Sequence, residues 1–147
     1  MKILSKKRGF TLIELLLVIA IAATLGATSV VFFSRFLTQN AVINTQDQVV
    51  GQLRKAQLYA LMGRENTSWG VAFSESKIIL FQGTSFASRD TAFDEVFFVN
   101  QNINITGFSE VVFTKATGAP STTGQFTVVG GDTTKQISLN SQGVVTR

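Results

Sequence analysis

The chain has 147 residues, the size of one modest domain or of a smaller domain with an appendage. Its 45% hydrophobic content excludes a disordered tail, and the absence of Cys and His excludes disulfide frameworks, thiolate zinc sites, Cys nucleophiles and the commonest general base. The net charge of +4 is local: Lys2, Lys6, Lys7 and Arg8 precede Gly9, and the 9 basic residues beyond are matched by 9 acids. The excess therefore points to a targeting segment rather than to a nucleic-acid surface.

Phe10 to Phe33 reads FTLIELLLVIAIAATLGATSVVFF, with Glu14 as its one charge. As a helix it is roughly 36 Å long, enough for a hydrocarbon core of about 30 Å. Lys6, Lys7 and Arg8 at its edge predict a cytoplasmic start, with everything after Phe33 on the far side. An ordinary secretory signal would cut near Ala20-Ile21-Ala22, but Glu14 falls inside its apolar stretch, which then runs on past the cut. A plain signal anchor explains the length and gives Glu14 no purpose. A twin-arginine signal lacks its arginine pair.

Lys7-Arg8-Gly9-Phe10-Thr11-Leu12-Ile13-Glu14-Leu15-Leu16 uses every feature, and it resembles the prepilin signal of type IV pilins and type II secretion pseudopilins. The resemblance implies a basic cytoplasmic leader over residues 1–9 and cleavage between Gly9 and Phe10 by the prepilin peptidase. It also implies N-methylation of Phe10, and subunit registration by Glu14 during assembly. The physics agrees: an acid inside an apolar segment is a functional residue by default, and the amine freed at Phe10 of a neighbouring copy is a suitable partner. The implied partners are the peptidase/N-methyltransferase, other pilin or pseudopilin subunits, an inner-membrane assembly platform, and lipid before assembly. The implied location is the bacterial inner membrane, single-pass, and then a filament.

Beyond Phe33 the composition turns polar. Val42, Val49, Leu53, Ala56 and Ala60 form one stripe of a helix, widened by Val50 and Leu61, with Asn44, Asp47, Gln48, Gln52, Lys55 and Arg64 opposite. One helix is expected from Phe10 to about Met62, ended by Gly63, with a local bend allowed at Gly51. Its parts are a membrane or filament-core segment (10–33) and an amphipathic segment (34–62) that needs a surface to lie on.

Residues 63–147 read as an antiparallel β domain. Strands are expected at Trp69–Phe73, Lys77–Gln82, Glu95–Val99, Glu110–Lys115, Gln125–Val129 and Gln136–Leu139, with a short one at Gly143–Thr146. Turns are expected at Ser74-Glu75-Ser76, Gly107–Ser109, Gly130-Gly131-Asp132 and Asn140–Gly143, and longer loops at Gly83–Asp94 and Ala116–Gly124. Phe97, Val99, Val111, Phe113, Phe126, Val128, Ile137 and Leu139 are the expected inward residues. So small a domain needs the amphipathic helix to complete its core. The fold class is α+β: a long amino-terminal helix packed on a small antiparallel sheet domain.

Leu53–Gln57, Trp69-Gly70-Val71, Val112-Phe113 with Gly118 and Gly124, and the close Ile137–Leu139 with Gly143–Val145 resemble the GspH/FimT group of minor pseudopilins. Some of that group bind DNA through basic residues near the carboxy terminus; here only Lys135 and Arg147 are available, so DNA remains an unsupported partner. The missing proline around Val30 and Val31, and the missing cysteine pair, favour a minor subunit over a major pilin. Asp90, Asp94 and Glu95 are expected in a solvated loop rather than a metal or acid/base site, and Trp69 and Phe73 in the core rather than a sugar or peptide site. No cofactor, metal or catalytic residue is expected, and the chain reads as a peptidase substrate rather than an enzyme. A membrane-tethered binding module, with the helix as a mere anchor, is the alternative.

Overall fold

A computed structural model describes residues 9–74 and 76–147, with backbone alone at positions 28–32. The expected leader residues Lys6, Lys7 and Arg8, and Glu75 of the first turn, lie outside the described residues. The chain forms two compact units, one up to Phe36 and the other Leu37–Arg147.

Helix α1 runs Leu12–Leu61, 50 residues, as the unbroken absence of proline allows. Gly51 costs roughly 1 kcal/mol relative to alanine, yet the helix passes through it. The end is set at Gly63, whose φ of 62° and ψ of 29° are left-handed values that glycine adopts without a Cβ penalty. A 3-10 turn, Arg64–Asn66, then reverses the chain. Two outside groups fix the reversal: the Trp69 indole Nε1–H donates to the Arg64 carbonyl (3.1 Å), and the Ala116 N–H donates to the Ala60 carbonyl at the helix end (2.9 Å).

Eight strands follow in two antiparallel sheets. The first sheet contains β1 (Trp69–Ser74), β2 (Lys77–Gln82), β3 (Asp90–Phe98) and β5 (Glu110–Phe113), in the order β3-β2-β1-β5. The second contains β4 (Ile103–Thr106), β6 (Gly124–Gly130), β7 (Thr133–Leu139) and β8 (Val145–Thr146), in the order β4-β6-β7-β8. The β6–β7 hairpin turns at Gly131-Asp132, Gly130 pairing with Thr133, as expected. Two expectations are corrected. β3 starts at Asp90, not Glu95, so the first long loop is shorter and the acids lie on a strand. β4 is not among the expected strands and is the edge of the second sheet.

Both sheets close on one side of α1. Val42, Val49, Val50, Leu53, Ala56 and Ala60 share a core with Trp69, Val71, Ile78, Leu80, Val111 and Phe113 of the first sheet and Phe126, Val128, Ile137, Leu139 and Val145 of the second. The helical stripe and the two-residue alternation of the strands are thus faces of the same core. Of the expected inward residues only Phe97 is partly exposed. Two polar helix residues are also buried: Thr45 donates its hydroxyl to the Ala41 carbonyl (2.8 Å), and Gln46 donates its amide to the Gln136 carbonyl on β7 (2.9 Å). Those partners remove the cost of burying them.

A smaller apolar cluster, Ala72, Ile79, Phe81 and Val112, lies on the opposite face of the first sheet. The loop before β3 straps over it. Phe86 packs edge-on against Phe81 (5.6 Å between ring centroids), Arg89 stacks on Phe86, and Arg89 Nε donates to Asp94 Oδ2 at 2.8 Å.

Candidate functional site

Gly9, Phe10 and Thr11 precede α1 in non-helical backbone. Thr11 begins the helix: its hydroxyl accepts from the Glu14 N–H (3.4 Å) and its carbonyl from the Leu15 N–H (3.2 Å). The Thr-x-x-Glu spacing is that of a capping box, a signal the sequence reading passed over. Glu14 is the acid of the first turn, where the helix dipole favours a negative charge by about 0.3–1 kcal/mol. That local role suits any helix start; it does not explain an acid embedded among apolar neighbours.

Gly9 is informative for the opposite reason to Gly63. A Cβ placed on it meets nothing within 4 Å, and its φ is not left-handed. No contact within the described chain requires glycine there.

The surface beyond the junction is apolar in every direction. Phe10 is 83% exposed, and Leu12, Ile13, Leu15, Leu16, Leu17, Val18, Ile19 and Ile21 are all more than half exposed. Leu15 to Ile19 are consecutive, so at 100° per residue they occupy the whole circumference of the helix. Such a surface demands apolar surroundings. The span expected over Phe10–Phe33 runs through positions 28–32, whose side chains lie outside the described residues. Among the described residues no helix is long and apolar enough to cross a membrane.

Among the described residues no group of three His, Cys, Asp or Glu side chains could hold a metal ion. Asp94 pairs with Arg89, and Glu95 pairs with Lys55 of α1 at 2.6 Å. The Glu95 carboxylate accepts a hydrogen bond from Lys55 and raises the lysine's pKa above its usual 10.5, against the opposing pull of desolvation. Trp69 is 1% exposed and belongs to the core, edge-on to Tyr59 and Phe93. Lys135 and Arg147 do come together, lining an open groove with Ile43, Gln46, Thr134 and Gln136. Arg147 is held there by Asp47 at 2.8 Å, so the groove is not a stretch of uncompensated positive charge.

Residues 4–30 match the family model described as the prokaryotic N-terminal methylation motif, which is consistent with the type IV pilin and pseudopilin superfamily. The match supports a pilin-like or pseudopilin subunit. No curated protein and no solved structure matches the chain.

Proposed function

We propose that the chain is a structural subunit of a type IV pilus or type II secretion filament, a minor pilin or pseudopilin of the GspH/FimT kind, and not an enzyme. Prepilin peptidase removes residues 1–9 by cutting between Gly9 and Phe10, and Phe10 is then N-methylated. Lys6, Lys7 and Arg8 keep the leader in the cytoplasm. The segment 10–33 anchors the subunit in the inner membrane and later joins the filament core, while 34–62 supports the β domain (63–147) outside.

The observation that carries this reading is the fully exposed apolar circumference from Leu12 to Ile21 with one carboxylate, Glu14, one turn inside it. Lipid satisfies the apolar surface but not the acid. Neighbouring copies satisfy both, because each brings apolar helix surface together with the positive amine that cleavage creates at Phe10. Pairing the two removes both charges from an uncompensated state.

Mass spectrometry of the chain from membranes tests the processing. The expected mature amino terminus is methylated Phe10. A chain starting after Ala22, or one that keeps Met1, overturns the proposal.

A further inference from the structure

Segment 33–36 of α1 combines a lone charge with exposed rings. Arg35 is the one charged residue between Glu14 and Asp47. It is exposed, and among the described residues it has neither a hydrogen bond nor an ion pair. The other described arginines are engaged: Arg54 donates to the Val145 carbonyl, Arg64 stacks on Tyr59 and Trp69, Arg89 pairs with Asp94, and Arg147 pairs with Asp47. Next to Arg35 on the helix, Phe33 is 63% exposed and Phe36 59%. Three positions apart, the two rings share a helix face.

The height of this group on the helix decides what surrounds it. From Thr11 to Arg35 the helix spans about 36 Å. A hydrocarbon core is about 30 Å thick and a bilayer with its headgroups about 40–45 Å, so each headgroup layer is about 5–8 Å deep. With the start of α1 at the cytoplasmic edge of the hydrocarbon, Phe33, Arg35 and Phe36 stand about 33–38 Å up, within the headgroup layer of the far leaflet. Their chemistry suits that layer. A guanidinium presents a planar fork of donors to phosphate oxygens, and its long stem carries it out to them. Phenylalanine rings sit at the boundary between headgroups and acyl chains.

We infer that Phe33, Arg35 and Phe36 form a headgroup clamp: Arg35 binds the phosphate of an anionic phospholipid in the far leaflet, and the two rings hold the helix at the acyl boundary. The competing occupant is a second copy. Copies waiting in one bilayer stand at one depth, and the acid that residues 9–36 contain is Glu14, about 32 Å below Arg35. A neighbouring helix therefore brings no carboxylate to the level of Arg35, whereas every lipid brings a phosphate. The inference rests on the filament-subunit reading and adds to it a lipid partner for the subunit before assembly. The clamp fixes the depth at which the subunit waits, and entry into a filament requires Arg35 to release the phosphate.

The test uses the full chain purified from membranes in detergent, with native mass spectrometry counting the lipid it retains. Dioleoylphosphatidylglycerol is the anionic probe, and dioleoylphosphatidylcholine, whose ammonium offsets its phosphate, is the control. Arg35→Gln is expected to weaken phosphatidylglycerol binding about fivefold and to leave phosphatidylcholine binding and the near-ultraviolet circular dichroism of Trp69 unchanged. Arg35→Lys is expected to recover part of the loss, because it keeps the charge without the fork. Replacing Phe33 and Phe36 together by alanine is expected to weaken both lipids. Lys135→Gln, which removes an exposed cation of the β domain, is expected to change neither. The clamp is overturned if Arg35→Gln binds phosphatidylglycerol as tightly as wild type, if Lys135→Gln loses as much, or if the alanine pair loses nothing. The mass of the same chains separates the two readings. No effect of Arg35→Gln in chains starting at methylated Phe10 overturns the clamp alone. An effect in chains that keep Met1 supports the clamp and overturns the processing.

Discussion

Lys55 of the helix and Glu95 of β3 are joined at 2.6 Å, an ion pair linking the two elements of the domain outside their shared apolar core. Both side chains are more than a third accessible or close to it (34% and 39%), so solvent screening holds the pair to at most about 1 kcal/mol. The sign of its pH dependence follows from the raised lysine pKa. The contribution is fully present below the unfolded value of 10.5 and is lost as pH rises through the higher folded value. Urea denaturation of wild type and Lys55→Met should differ by a constant small amount at neutral pH and converge above about pH 10.5. A gap that persists at high alkalinity would assign the lysine's effect to its methylene stem.

Gly143 is expected to resist replacement. Its φ is 79°, and a Cβ there would collide with Gln57, whose amide donates to the Gln142 carbonyl at 2.9 Å. Gly143→Ala should cost about 1–3 kcal/mol through left-handed strain and loss of that bond. In a Gln57→Ala background the same change should cost less, because the collision with Gln57 is gone and only the strain and the close approach to the Gly118 carbonyl remain. Equilibrium denaturation of the four chains measures the difference.

Leu53 is fully buried where the helix meets both sheets. Leu53→Ala is expected to cost about 2–5 kcal/mol. The loss should appear in near-ultraviolet circular dichroism from Trp69, which shares that core, as a lower midpoint of a single transition for the domain.

Gly9 and Glu14 should fail in different ways. Gly9→Ala is expected to leave the thermal midpoint unchanged, since its Cβ meets nothing, and to retain the leader when the mass is read. Glu14→Leu should still be cut at Gly9 and methylated, but should no longer sediment as polymer. A membrane-tethered binding module would tolerate that change, so polymer that forms equally well from Glu14→Leu returns the helix to the role of an anchor.

The elements with strong periodicity were legible from sequence. The stripe Val42–Ala60, the stop at Gly63 and the hairpin at Gly131 appear where their residue types require them. The front of β3 was hidden because Asp90, Thr91 and Ala92 are exposed edge residues that carry no apolar alternation. β4 has four residues, too few to show a period, and its Asn104 and Thr106 point outward. The burial of Gln46 was not legible because it depends on a carbonyl of β7, at a sequence separation of 90. The methylation motif over residues 4–30 was legible from the sequence as a motif. The Thr11 cap is masked in the sequence because the Thr-x-x-Glu spacing lies inside an otherwise apolar run.

The seal on the core comes late in synthesis. Val145 packs under the helix, and its carbonyl accepts from Arg54 at a separation of 91 residues. The ribosome therefore makes the greasy side of α1 long before it makes the strand that covers it. Until position 145 emerges, Val49, Leu53 and Ala56 lack part of their cover, and the nascent domain is exposed to misassociation and to holdase chaperones.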